Sequence, residues 1–130
     1  MVSRPSDPET GRLAYVNGGH EPALIIADTQ IRQRLIATGP VVGAMPDSHF
    51  EVETTVIHPG ETLVAYTDGV TEALSPEQTV FGRDRFSGLA CRGRGCTVRL
   101  LDDLQGQLFA HIRNAPQFDD ITLMAVHRFS

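Results

Sequence analysis

Short runs of alternating apolar and polar residues dominate the first half of the chain. LAYVN (residues 13–17) alternates and predicts a strand. NGGH follows, and an Asn-Gly pair between two apolar runs predicts a hairpin into PALIIA, residues 22–27. After the polar turn 28–30, residues 31–36 set Ile, Gln and Leu against Arg32 and Arg34, as a strand would. TGPVVGAMPDSH reads as a Gly- and Pro-punctuated loop. FEVETTVI then places Phe50, Val52, Thr54 and Val56 on one face, and Glu51, Glu53 and Thr55 on the other. That pattern predicts a half-exposed strand. TLVAYT (62–67) is apolar without a break, so both of its faces should be covered.

The pattern changes period in the second half. Residues 70–74 and 83–89 suggest two short helices, and 97–114 a long one. Leu101, Leu104, Leu108 and Ile112 form its expected apolar stripe, with Thr97 as N-cap and Pro116 as stop. ITLMAV (121–126) closes the series as a strand apolar on both faces. Strands largely precede helices, so the expected fold is α+β: mainly antiparallel sheets stacked inside, with helices outside.

Composition narrows the function classes. The chain has 130 residues, 41% of them apolar, enough for one cored domain over 1–130. The net charge of −5 argues against nucleic acid as a partner. All 11 basic residues are Arg. No apolar run approaches the ~18–20 residues of a membrane span, and the start MVSRPSDPETGRL lacks a secretory h-region. A cytoplasmic location is the expectation. Cys91 and Cys96, in CRGRGC, are expected to be free thiols, since no second cluster completes a zinc site. No nucleophile elbow or phosphate-cradling P-loop motif occurs, and His49, His58, His111 and His127 show no ligand spacing.

Acidic residues flank two of the predicted strands. Asp68 and Gly69 follow TLVAYT, and Asp119 and Asp120 precede ITLMAV. If those strands are antiparallel neighbours, Asp68 and Asp119 converge on one edge of the sheet. Converging carboxylates repel unless a cation lies between them, and a hard divalent ion suits all-oxygen ligands. Gly69 would let the backbone turn away and leave room for water or substrate. An Asp-Gly turn and a solvated loop end explain the same residues without a metal.

YVNGGHEPALI (15–25), YTDGVTEA (66–73), FG (81–82) and DDIT (119–122) occur in this order. Together they resemble the metal-dependent protein phosphatase superfamily, in its bacterial stage II sporulation protein E branch. That branch includes the sigma-regulating phosphatases of stress-response partner switching. The resemblance spans residues 7–128. It implies an αββα sandwich and a site with two Mn²⁺ or Mg²⁺ ions, whose water attacks a phosphoserine or phosphothreonine in line. The implied metal ligands are Asp68 and Asp119. Asp120 and Thr122 would support the loop, and Asn17 and His20 would lie near the site. Glu72 belongs to the motif, with a helix N-terminal charge as its alternative role.

The family's first metal motif, a Gly-Asp-x-x-Gly segment, has no counterpart in this sequence. The resemblance therefore implies the C-terminal portion of the domain, incomplete at its N-terminus, with exposed sheet edges open to a second copy. Two functions compete. One is a phosphatase acting on a phosphorylated anti-anti-sigma type regulator. The other is a catalytically incomplete module that binds protein or forms a homodimer.

Overall fold

The predicted runs become seven strands and three helices among the described residues of a computed structural model: 2–3, 11–16, 21–36, 53–92, 96–116 and 120–129. The strands are β1 (Val2–Ser3), β2 (Arg12–Val16), β3 (Ala23–Ala27), β4 (Gln30–Leu35), β5 (Glu53–Val56), β6 (Thr62–Tyr66) and β7 (Leu123–His127). The helices are α1 (Asp68–Thr71), α2 (Arg83–Ala90) and α3 (Thr97–Ile112). One antiparallel sheet runs β4–β3–β6–β7 and the other β1–β2–β5.

Every residue of β6 is buried, because the strand is covered twice. Val64 and Tyr66 join the core under the helices, with Leu24, Ile26, Phe86 and Leu104. Leu63 and Ala65 face the other sheet, with Leu13, Tyr15, Ala23, Ile25 and Leu35. A strand between two apolar layers has no use for a polar face. The layers are therefore sheet, sheet and helices, an α+β arrangement with one helical layer among the described residues.

Polar contacts tie β4 to the start of β6 and to β5 of the other sheet at one margin. Arg32 of β4 bonds Glu61 (Nε to Oε2, 2.5 Å) and the Val56 carbonyl of β5 (2.6 Å). Thr55 donates to Gln33 Oε1 at 2.6 Å.

Several expectations are corrected. Residues 13–17 and 22–27 do not form a hairpin: β2 pairs with β1 and β5, whereas β3 pairs with β4 and β6. Ala23, Leu24 and Ile25 have no exposed surface, and such a strand takes its neighbours within the central sheet. The stripe of α3 is Leu100, Leu104, Leu108 and Ile112; Leu101 is only half-buried and lies on the helix flank. Cys96, not Thr97, is the N-cap of α3. The helix stops where Arg113 turns left-handed (φ 52°), before Pro116. Only one face of β7 is covered: Leu123 and Ala125 pack on the core, while Met124 and Val126 are exposed. Cys91 and Cys96 are free thiols. The stretch FEV of the predicted strand FEVETTVI and the Gly/Pro loop before it lie outside the described residues.

Candidate metal centre at one end of the sheet

The last pair of the β6–β7 ladder is Tyr66 with Leu123. One step further, Thr67 holds the two chains together. Its N–H donates to the Thr122 carbonyl (3.2 Å), and its hydroxyl accepts the Thr122 N–H (3.1 Å). The same hydroxyl donates to the Asp120 carbonyl at 2.9 Å. Thr67 is also the N-cap of α1, yet it makes no side-chain cap bond, because its hydroxyl is engaged across the ladder. Asp68 follows as the first residue of α1.

Asp68 and Asp120 are both exposed at this end. The Asp68 side chain forms no hydrogen bond or ion pair among the described residues. An uncommitted carboxylate beside a second acidic segment has the oxygen donor chemistry of a hard divalent cation. Among the described residues, however, no three His, Cys, Asp or Glu side chains gather as a metal-holding cluster.

Glu21 reaches the same end. The β3–β6 register pairs Leu24 with Val64, and its continuation sets Glu21 level with Thr67. Glu21 is only 7% exposed. Arg83, the first residue of α2, answers it. Nη2 donates to Oε1 at 3.0 Å, and Nε lies 2.8 Å from Oε2, close enough for an ion pair but off the hydrogen-bond axis. Gly82 makes this reach possible. Its N–H bonds the Thr71 carbonyl at the end of α1 (2.9 Å), and its backbone (φ 92°, ψ 153°) lies in a region that favours glycine. Burial raises the Tyr66 phenol above its ordinary range, and Glu21 raises it further. The Glu21 hydrogen bond and charge hold Arg83 more firmly protonated, with Tyr66 and Asp68 adding to the effect.

The remaining sequence candidates divide as follows. Asp120 and Thr122 meet Thr67 through their backbone groups: the Asp120 carbonyl and the Thr122 N–H at the Thr67 hydroxyl, and the Thr122 carbonyl at the Thr67 N–H. Gly69 is buried with helical backbone in α1, so it does not turn the chain away from the site. Glu72 is the C-cap of α1, with its N–H on the Asp68 carbonyl (2.8 Å), so it is not an N-terminal charge. Asp119, Asn17 and His20 lie outside the described residues. His111 is structural: Nε2 lies 2.7 Å from the Thr79 carbonyl and Nδ1 3.1 Å from Arg85 Nη1. Thr67, Glu21 and Arg83 were not singled out from sequence. The first two stand inside recognised segments, but a 62-residue separation hides the Glu21–Arg83 pairing.

The sequence profile described as stage II sporulation protein E matches residues 2–129. The chain belongs to the stage II sporulation protein E family. Protein IcfG of Synechocystis is 44% identical over 122 residues, covering 94% of the chain and 19% of IcfG. The SiaA-PP2C domain of Pseudomonas aeruginosa shares the fold with a TM-score of 0.76 at 22% identity, covering 93% of this chain and 48% of that one. The phosphatase domain of SpoIIE from Bacillus subtilis, in crystals presoaked with Mn, gives 0.70 at 18% identity, covering 98% and 55%. The chain thus spans about a fifth of IcfG and about half of each solved phosphatase chain. Its mixed helix and antiparallel sheet architecture is that of a PP2C-like phosphatase domain of this family.

Proposed function

We propose that the chain contributes to a metal-dependent protein serine/threonine phosphatase site, and that Asp68 and Asp119 are its metal ligands. The observation that supports this best is the Thr67 junction, which fixes the Asp68 end of β6 against residues 120–122. Mn²⁺ or Mg²⁺ would supply an acidified water for attack on phosphorus when bound. The chain's own residues have separate tasks in this reading. Asp68 and Asp119 offer hard oxygen donors. Thr67, Asp120 and Thr122 keep the two acidic segments in register. The proposed substrate is a phosphorylated regulatory protein of anti-anti-sigma type, met in the cytoplasm.

A second reading is a protein-binding or homodimerising module without activity. The uncovered face of β7 favours it: Met124 and Val126 are exposed there. A groove of about 640 Å³ also runs between Leu101, Gln105 and Phe109 of α3 and residues 120–123.

Phosphate release from a phosphoserine peptide in Mn²⁺ separates the two readings. The phosphatase reading expects release, lowered in Asp68→Ala by more than the roughly 10–100-fold typical of changes behind the metal ligands. Self-association with no release at all would support the module instead.

A further inference from the structure

The sheet end that carries Asp68 and Asp120 is acidic, in a chain of net charge −5. A phosphoryl dianion approaching it meets repulsion unless a cation is placed there. Arg83 is so placed, and in an unusual way. Its Nε and Nη2 face Glu21, whose side chain is 7% exposed, whereas the Arg83 side chain itself remains 66% exposed. Nη1 has no hydrogen-bond partner among the described residues. One edge of the guanidinium is thus fixed by a buried carboxylate and the other is open.

A long side chain on a helix end normally loses rotamer freedom when it binds a ligand. The Glu21 anchor removes that freedom in advance. Buried Glu21 also explains why the anchor persists, since an unpaired carboxylate there would be costly. Arginine presents its N–H donors in a planar fork that matches phosphoryl oxygens. Position agrees with chemistry: Glu21 stands just before β3 at the end where β6 runs on into Thr67, and Arg83 starts the helix that follows α1. Asp68 is near enough to act electrostatically on Arg83.

We propose that Arg83, anchored on Glu21, is a phosphate-binding residue that presents its open edge to the phosphoryl group of the substrate. The identity of that substrate rests on the phosphatase reading above; binding of the anion itself does not. Arg34 provides the control. It is exposed on β4, opposite Leu24, and acts on Tyr66 electrostatically, but it has no contact with Glu21 among the described residues.

The test is a titration of the metal-free chain with inorganic phosphate, followed by ³¹P line broadening, and repeated with a phosphoserine peptide. Arg83→Gln removes the charge. The double variant Glu21→Gln/Arg83→Gln removes it without leaving a buried carboxylate unpaired, so it remains informative if the single variant unfolds. Both should bind phosphate at least tenfold more weakly, with Arg34→Ala within about twofold of wild type. Tighter binding of the peptide than of phosphate would identify a phosphoprotein as the source of the group; equal binding would identify the free anion. Unchanged phosphate affinity in the folded double variant would overturn the proposal, as would no binding by wild type or an equal loss in Arg34→Ala. Mn²⁺ affinity, measured separately in Asp68→Ala, reports on the metal reading alone, so the two claims fail independently.

Discussion

Glu61 carries its charge in a nearly closed environment just before β6. Three N–H groups meet its carboxylate: Arg32 Nε at 2.5 Å, Arg32 Nη2 at 2.8 Å and the His58 amide at 2.7 Å. Burial alone would raise its pKa. The hydrogen bonds from Arg32 and His58, with the charge of Arg32, outweigh it and hold the group below the ordinary 4.5. The ionised form is therefore favoured by folding. Its contribution is complete above about pH 4.5 and is lost as pH falls through the lowered folded value. Arg32→Ala should cost about 1.5–2 kcal/mol near neutral pH, the lower part of the range for charged hydrogen bonds, because Arg32 is one-third exposed. Urea midpoints at about pH 7 and about pH 3 check this. The gap between wild type and Glu61→Gln should shrink at the lower pH, and a constant gap would contradict the assignment.

At the scale of elements, α3 is the clearest case. Leu100, Leu104, Leu108 and Ile112 repeat every fourth residue and bury one stripe on the sheet. Leu104→Ala should cost roughly 2–5 kcal/mol, as for other buried leucines, whereas Leu101→Ala should cost less than ~1 kcal/mol. Thermal or denaturant unfolding of the two variants distinguishes them. The stripe was legible because its period is helical. Its first member was not, because residues 100 and 101 are both leucine and periodicity cannot choose between adjacent identical residues. The continuous run of β6 was legible for a related reason: a strand buried on both sides must be apolar throughout. β7 is also largely apolar, but at the sheet margin only one of its faces is covered, so Met124 and Val126 remain exposed. Strand apolarity indicates that burial is possible; the position in the sheet decides whether it occurs.

At the scale of the whole molecule, two segments far apart in sequence come to one end of the sheet. The acidic groups at the ends of β6 and β7 could be read as converging, because antiparallel neighbours place an end beside a start. The contacts that hold this end could not. Thr67 gives up the usual cap bond for a cross-ladder one, and Glu21 meets Arg83 across the fold. The division into two sheets was also hidden, since the Asn-Gly signal between β2 and β3 is local and the sheet assignment is not. Family membership describes the domain type, while activity depends on whether enough ligands gather at this end. That question is answered by metal binding more directly than by turnover. Mn²⁺ titration of the chain, followed by electron paramagnetic resonance, should show saturable binding that is lost in Asp68→Ala. Equal Mn²⁺ affinity in wild type and Asp68→Ala would contradict a metal centre at this end of the sheet.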